Sequence, residues 1–323
     1  MKALIRSRYG SPDVLAVAEI PRPAVGEAEA LVKVVAASLN TADLDYLYGK
    51  PRLARVAGGF FRPRSPGLGL DVAGRVEAVG PSVTDLQVGD EVWADLFSHG
   101  QSALAEYVCA RARAFTPKPA KSSFEEAAAV PHSGVLALQA LLGRGPILPG
   151  QRVLINGGGG CVGPFAIQIA KAYGAEVTAV DGTEKLELML EAGADHVVDF
   201  RREDVTKAGR RYDLILDIAQ TRSVSGWRGL LEADGRFVLI ARTLGGFFRA
   251  ALMGGLISLF GGKRMGIFSW QPNRPQDLDT LRGLIDDGRI KPLLDRRFAL
   301  DEAPEAVRYL AEGRARGKLL VVP

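Results

Sequence analysis

Apolar residues set three successive rhythms along this chain. Up to about residue 120 they fall in short runs with strand spacing: Lys2-Ala-Leu-Ile5, residues 29–35 and residues 71–79. Pro21, Pro23, Gly26, Pro66, Gly67, Gly80, Pro81 and Gly89 punctuate these runs. Many short strands parted by turn residues predict a small β-barrel. From Ser122 the spacing turns helical. Ser123 offers a hydroxyl cap to Phe124-Glu-Glu-Ala-Ala-Ala129, with acids in its first turn. Residues 134–142 read as a second helix. Strands and helices then alternate. Residues 151–155, 176–180, 196–199, 212–218 and 235–240 read as strands, with helices over 163–173 and 183–192. That alternation predicts an α/β fold with a doubly wound parallel sheet. The third rhythm, in the tail, departs from it. Helices are expected over 277–287 and from an Asp301 cap to residue 312, each followed by glycine, with a last strand over 318–323. This tail is expected to return to the first domain.

One stretch carries candidate chemistry. Val153-Leu-Ile-Asn156 is apolar enough for a central parallel strand, and four glycines, 157–160, follow it. Gly158, Gly160 and Gly163 fit the spacing G-x-G-x-x-G. The first permits a tight turn, the second a close approach of backbone to a pyrophosphate, the third close packing of helix on strand. The helix N-terminus then presents unpaired N–H groups and partial positive charge to phosphate. The next strand ends in Asp181, at the distance expected of a ribose-binding carboxylate. Four glycines in a row match many patterns, so strand, turn, helix, strand and acid carry this reading together.

Composition narrows the classes. A chain of 323 residues suits two domains. Hydrophobic content of 47% supports sizeable cores, and the net charge of +4 has no basic block with interleaved aromatics, which argues against a nucleic-acid partner. Two cysteines, Cys109 and Cys161, are too few for a disulfide framework or a structural zinc knuckle. The first residues have no signal-peptide pattern, so a cytoplasmic protein is expected. Residues 244–260 are strongly apolar, but hold four glycines and Arg249. They read as a loop and short helix over a pocket or subunit interface, with no stable membrane insertion.

In its ordered motifs the chain resembles the medium-chain dehydrogenase/reductase superfamily, in particular its zinc-independent, quinone oxidoreductase-like branch. The carriers are Asn40-Thr-Ala-Asp43, residues 69–80, Gly89-Asp-Glu-Val-Trp93 and Ala105-Glu-Tyr107. Residues 124–131, the glycine turn, Gly193-Ala-Asp-His196 and Gly317-Lys-Leu-Leu-Val321 continue the series. The resemblance implies a GroES-like catalytic domain over 1–120, with residues 268–323 returning to it, and a Rossmann domain over 121–267. It also implies a homodimer formed through the edge of the Rossmann sheet.

Zinc-dependent relatives place a Cys ligand where this chain has Asn40, and a His-Glu pair where it has Leu70-Asp71. Leucine cannot ligate zinc, and a lone aspartate cannot replace three protein ligands. His99, His132 and His196 show no metal-ligand spacing. His132, at a predicted helix edge, reads as a packing or capping residue before a proton donor. Without a Lewis acid, hydride transfer favours acceptors that delocalise the incoming charge, such as quinones and α,β-unsaturated carbonyls. A few donors near the developing oxygen then suffice. Asn40 can offer an amide N–H and Tyr46 a phenol. Asp43 reads equally as a loop cap or a direct participant. The resemblance implies that the Asn40 and Asp43 region borders the nicotinamide. Asn40, Asp43 and Tyr46 are thus the expected catalytic set.

The expected cofactor-binding residues are Gly158, Gly160, Cys161, Val162, Gly163, Asp181, Lys185, Phe200 and Ala241. Asp181 favours NAD(H), since a carboxylate repels a 2′-phosphate. Lys185 could offset that repulsion, and the branch tends to use NADP(H), so both cofactors stay open, with no zinc. Arg201 and Arg202 lie where relatives approach the adenosine, or form a solvated pair. Substrate walls are expected from residues 46–64 and 243–270, whose Phe60, Phe61, Phe247, Phe248 and Phe260 fit a bulky apolar small molecule or core packing equally. Two other functions compete with the reductase: a zinc-free alcohol dehydrogenase, and a nucleotide-bound sensor without turnover.

Overall fold

The computed structural model describes residues 1–51, 55–97, 99–240, 264–268, 270–272 and 274–323. Ala241 and the apolar stretch 244–260 lie outside them. The chain divides into two compact units. The first comprises Met1–Val135, Pro272–Gly288 and Leu294–Pro323; the second comprises Leu136–Gln271 and Arg289–Leu293.

In the first unit, β1 (Lys2–Arg6) and β2 (Leu15–Glu19) form an antiparallel pair. The larger sheet is built from β3 (Glu29–Ser38), β4 (Asp71–Val79), β5 (Glu91–Asp95), β6 (Tyr107–Arg111) and β7 (Thr116–Pro117). The distant β14 (Leu294–Ala299) and β15 (Lys318–Val322) complete it. Its order is β14-β15-β3-β4-β5-β7, with β6 also paired to β3. The tail therefore does return to the first unit: Leu320 and Val321 stand opposite Ser38 and Ala37. Strand β3 is buried along most of its length: Ala30, Leu31, Val32, Val34, Ala36, Ala37 and Ser38 are buried, and only Lys33 is exposed.

Helices of this unit are α1 (Thr41–Tyr48), α2 (Arg55–Gly58) and α3 (Phe124–Ala128). Ser123 caps α3 as its sequence predicts: its Oγ accepts the Glu126 N–H at 3.1 Å, and Glu126 accepts the Ser123 N–H at 2.9 Å. The alternation places a boundary at residue 120, yet α3 packs on β3 and β4, and the division falls inside α4 (Pro131–Leu142). The apolar face of α3 decides this, since it is buried against the first sheet.

The second unit holds β8 (Arg152–Asn156), β9 (Glu176–Asp181), β10 (His196–Asp199), β11 (Tyr212–Asp217), β12 (Leu231–Leu239) and β13 (Arg264–Ile267). They pair in parallel in the order β10-β9-β8-β11-β12-β13. The order reverses beside β8, which makes its C-terminal end the switch point where doubly wound sheets bind ligands. Between the strands run α5 (Gly163–Ala172), α6 (Leu186–Glu191) and α7 (Val224–Trp227). Leu154, Ile215, Trp227, Leu231 and Phe237 are part of one buried core of this sheet. The stretch Arg289–Leu293 joins this unit, and the Lys291 N–H reaches Gln168 Oε1 at 2.7 Å.

The tail helices are α8 (Pro275–Asp286) and α9 (Ala303–Ala311). Asp301 does not cap α9 as expected. It lies within a preceding 3-10 turn, and its carboxylate pairs with Lys2 Nζ at 2.7 Å. Among the described residues, no helix is long and apolar enough to cross a membrane.

Candidate active site

Two polar clusters stand out, one in each unit. The first begins at the end of β3, where Asn40 precedes α1. Asp43, at the third helical position, accepts the Asn40 N–H at 2.7 Å with Oδ2. Its Oδ1 accepts the Gly69 N–H at 3.1 Å. Gly69 has φ +103°, and a Cβ there would meet the Leu104 nitrogen at 2.8 Å, so the loop can pass this close only as glycine. Asp43 is thus a brace between two loops.

That arrangement leaves the Asn40 side chain to turn inward. Its Nδ2 donates to Asp71 Oδ2 at 2.9 Å. Its Oδ1 accepts from Ser133 Oγ at 2.8 Å and from Lys318 Nζ at 2.6 Å. Asp71, fully buried at the start of β4, is the hub. Its Oδ2 also accepts from Ser38 Oγ at 3.0 Å and Lys318 Nζ at 3.2 Å, and its Oδ1 takes the His132 N–H at 2.7 Å. The His132 ring lies 2.9 Å from Asp95 Oδ2 through Nδ1, and Asp95 Oδ1 accepts the Phe97 N–H at 2.9 Å. Ser38, Asn40, Asp43, Asp71, Asp95, His132, Ser133 and Lys318, whose side chains make this network, are all buried. Buried polar groups hold their places only when satisfied in this way.

Burial acts on these groups in different senses. It pushes the Asp43 carboxyl up to about 7; the Asn40 N–H opposes that rise, and the Asp71 charge adds to it. For His132 burial disfavours the charged ring, but the Asp95 carboxylate outweighs it, with Asp71 and Asp43 behind, and the net shift is upward. Burial first, then Asp43 and Asp95, raise the Tyr46 phenol well above its ordinary value, so it stays protonated. Tyr46 lies later on α1. Its ring centroid is 5.8 Å from Phe97, which stacks in turn on His132 at 6.1 Å. The Arg6 guanidinium donates to the Tyr46 carbonyl oxygen.

The second cluster follows β8. Gly157 turns with φ +92°, and the Gly157 and Gly158 N–H groups donate to the Val180 carbonyl at 2.9 and 3.1 Å. A Cβ on Gly158 would meet Met189 Sδ at 2.7 Å; one on Gly163 would meet the Gly158 carbonyl oxygen at 2.3 Å. These two glycines let helix and turn pack. A Cβ on Gly160 would have only the Gly157 oxygen nearby, at 3.7 Å. Its missing side chain answers no packing need of the protein. Cys161 and Val162 lead into α5, whose first turn contains Gly163 and Pro164.

Asp181 binds the turn itself. Its Oδ2 accepts the Gly159 N–H at 2.9 Å and its Oδ1 the Gly182 N–H at 2.8 Å. Lys185 is buried, with its stem where a Cβ on Gly159 would stand 2.4 Å away. The Phe200 N–H donates to the Asp181 carbonyl at 3.1 Å, while the Phe200 ring is half exposed. Arg201 pairs with Glu184 at 2.7 Å, and Arg202 lies 3.4 Å from Asp199. Gly158, Gly163, Asp181, Lys185 and Phe200 therefore come together about the turn, as do Asn40 and Asp43 in the first cluster. Ala241 lies outside the described residues.

Sequence reasoning missed Asp71, Ser38, Ser133, Asp95 and Lys318 in the first cluster. Lys318 had a signal: it opens an otherwise apolar strand. In the second unit it missed Asn156, whose Nδ2 reaches Asp217 Oδ1 at 2.7 Å and Thr221 Oγ1 at 3.0 Å beside the switch point. Trp227 Nε1 completes that group on Asp217 Oδ2 at 3.0 Å.

Comparison with known proteins agrees with both units. A family model described as an alcohol dehydrogenase GroES-like domain matches residues 26–140, and one described as a zinc-binding dehydrogenase matches residues 192–321. A trans-enoyl reductase of Aspergillus terreus is 33% identical over 317 residues, covering 92% of this chain and 87% of its own. A chloroplastic NADPH-dependent alkenal/one oxidoreductase of Arabidopsis thaliana is 32% identical over 335 residues, covering 100% and 80%. Among solved structures, a quinone oxidoreductase from Coxiella burnetii superposes with a TM-score of 0.87 at 28% identity, covering 100% of this chain and 99% of that one.

Proposed function

The chain belongs to the medium-chain dehydrogenase/reductase superfamily, and from that premise we propose that it is a zinc-independent reductase which delivers a hydride from NADPH or NADH to a quinone or an α,β-unsaturated carbonyl. The observation that carries this reading is the donor set of the first cluster. Position 40 holds a carboxamide and position 70 an aliphatic side chain, whose chemistry does not fit zinc. Among the described residues there is no group of three His, Cys, Asp or Glu that could hold a metal ion. The relatives named above, an enoyl reductase, an alkenal/one oxidoreductase and a quinone oxidoreductase, act by their names on acceptors of the class this chemistry favours.

The second cluster fits a nicotinamide dinucleotide, which when bound supplies the hydride. Cys161, Val162 and Gly163 would hold its diphosphate through backbone amides, with Gly158 shaping the turn, Gly160 keeping the cradle open and α5 contributing its N-terminal partial charge. Asp181, Lys185, Phe200 and Ala241 would meet the adenosine side. Both Asp181 oxygens already accept backbone N–H bonds, which tempers the carboxylate's repulsion of a 2′-phosphate. Together with the NADPH-dependent relative, this favours NADPH.

Asn40, Asp43 and Tyr46 remain the proposed catalytic set, with revised roles. Asn40 gives an amide N–H to Asp71 and acts as the fixed wall of the site. Asp43 braces the loop that presents it. Tyr46, kept protonated, is the donor toward the oxygen on which charge settles. Cofactor oxidation, followed by absorbance with each dinucleotide and a panel of quinones and enones, tests this. Turnover faster with NADPH than NADH is expected. No oxidation of either cofactor across the panel would refute the reading.

A further inference from the structure

Lys318 is the feature of the first cluster that the reductase reading leaves without a task. Its side chain is 2% exposed, far below what an ammonium group in water enjoys. Its Nζ lies 2.6 Å from Asn40 Oδ1 and 3.2 Å from Asp71 Oδ2. Around it, Ser133 and Ser38 donate to those same two oxygens, so four donors converge on two acceptor atoms. The Asp71 carboxylate carries the negative charge among these groups, and a lysine reaching in from β15 supplies the positive charge.

That point has a chemical meaning. A zinc ion held through the side chain at position 40 would sit roughly 2.0–2.3 Å from its donor atom. The Lys318 nitrogen lies at hydrogen-bond distance, 2.6 Å, from Asn40 Oδ1, and with Ser133 Oγ it takes up both acceptor sites of that oxygen. A metal ion and an ammonium cannot share the space, and their repulsion in a buried site would be severe. We propose that Lys318 is the resident cation of this cluster: it occupies the oxygen through which position 40 could hold a metal, neutralises Asp71, and fixes the orientation of the Asn40 carboxamide. Lys318 is accordingly a positioning residue. A lysine cannot polarise an oxygen as strongly as zinc, but it is covalently attached and cannot be lost to a chelator.

The kinetic arm of the test rests on the reductase reading; the other arms do not, so failure of one can be told from failure of the other. In Lys318→Ala, Asp71 is left as an unpaired buried carboxylate, and the melting temperature should fall by roughly 10 °C. Ethylammonium chloride should restore it in a saturable way, while tetramethylammonium chloride, too large for the vacated space, should not. Equal melting temperatures for wild type and variant, or equal effects of the two salts, would overturn the proposal. Should Lys318→Ala fail to fold, the Asp71→Asn/Lys318→Met pair, which removes both charges together, should fold; its failure counts against the pairing. With a responsive acceptor, this double variant should lose kcat while its KM for NADPH stays within about twofold, a change of less than 0.5 kcal/mol in binding. An unchanged kcat would overturn the positioning role. Finally, wild-type protein dialysed against zinc and desalted should retain none by elemental analysis, and one equivalent of zinc per chain would sink the idea outright.

Discussion

Asp43 is the residue at which structure and titration meet. Its proton is favoured in the native state, because the folded carboxyl is pushed from 3.8 up to about 7 by burial. The stability this gives is complete below the unfolded value and is lost as pH rises through about 7. His132, also shifted upward, acts in the same sense: its contribution is complete below its ordinary value and fades as pH climbs through the raised one. The protein should therefore weaken as pH climbs from about 4 to about 7, by on the order of 4 kcal/mol through Asp43. Urea unfolding midpoints across this range should fall in wild type, and the slope should flatten in Asp43→Asn. An identical slope in both would show that Asp43 does not titrate as described. At this scale the sequence was half legible. Asn40-Thr-Ala-Asp43 is a compact motif, and its two polar ends are indeed the ends that bond. The partners of Asn40 are not compact: Ser133 is 93 positions away and Lys318 is 278. No local pattern encodes such a pairing, so Asn40 reads from sequence as a donor to substrate and only the fold reveals its inward turn.

Elements tell a more legible story, because their causes are local. Strand β8, the glycine turn and α5 could be read in advance since each depends on residues within a few positions of itself. What the turn demands is severe at one place. A Cβ on Gly163 would lie 2.3 Å from the Gly158 oxygen and 2.4 Å from its carbon, and both are backbone. Gly163→Ala must therefore spread α5 from the turn, at a cost of about 1–3 kcal/mol. Dinucleotide affinity should drop roughly tenfold or more, the equivalent of 1.4 kcal/mol. Calorimetric titration of Gly163→Ala and Gly160→Ala would separate the two glycines. Gly160→Ala, with open space around it, should keep wild-type stability and lose affinity alone; a loss of stability there would contradict the cradle. Element ends were less legible. The helix expected over 183–192 begins as a 3-10 turn over Thr183–Lys185, and α9 starts two residues after the Asp301 expected to cap it. The turn Leu300–Glu302 runs straight into α9, so Asp301 lies within it, and Glu302 instead accepts the Ala299 N–H at 2.8 Å where the turn begins.

For the whole molecule, alternation of strand and helix sufficed to foresee the parallel sheet of the second unit, since each crossover connects neighbours in sequence. The first unit was harder. Its sheet inserts β15 between β14 and β3, strands from opposite ends of the sequence, and the apolar pattern of residues 318–322 says that they are buried without saying where. Removal of Lys318–Val322 should thus strip β3 of a hydrogen-bonded neighbour and the cluster of its cation in one step. Amide hydrogen exchange should show lost protection at Ala37 in β3 and at Leu39 just past it, which pair with Val321 and Leu319 of β15. Retained protection there would mean that β15 is dispensable to the sheet.

The same strand has a consequence for biosynthesis. Asp71 leaves the ribosome 247 residues ahead of Lys318, so for most of translation the nascent first unit carries a carboxylate with no counter-ion and a sheet with a gap. It cannot complete its sheet until β15, which follows every residue of the second unit in the chain, has emerged.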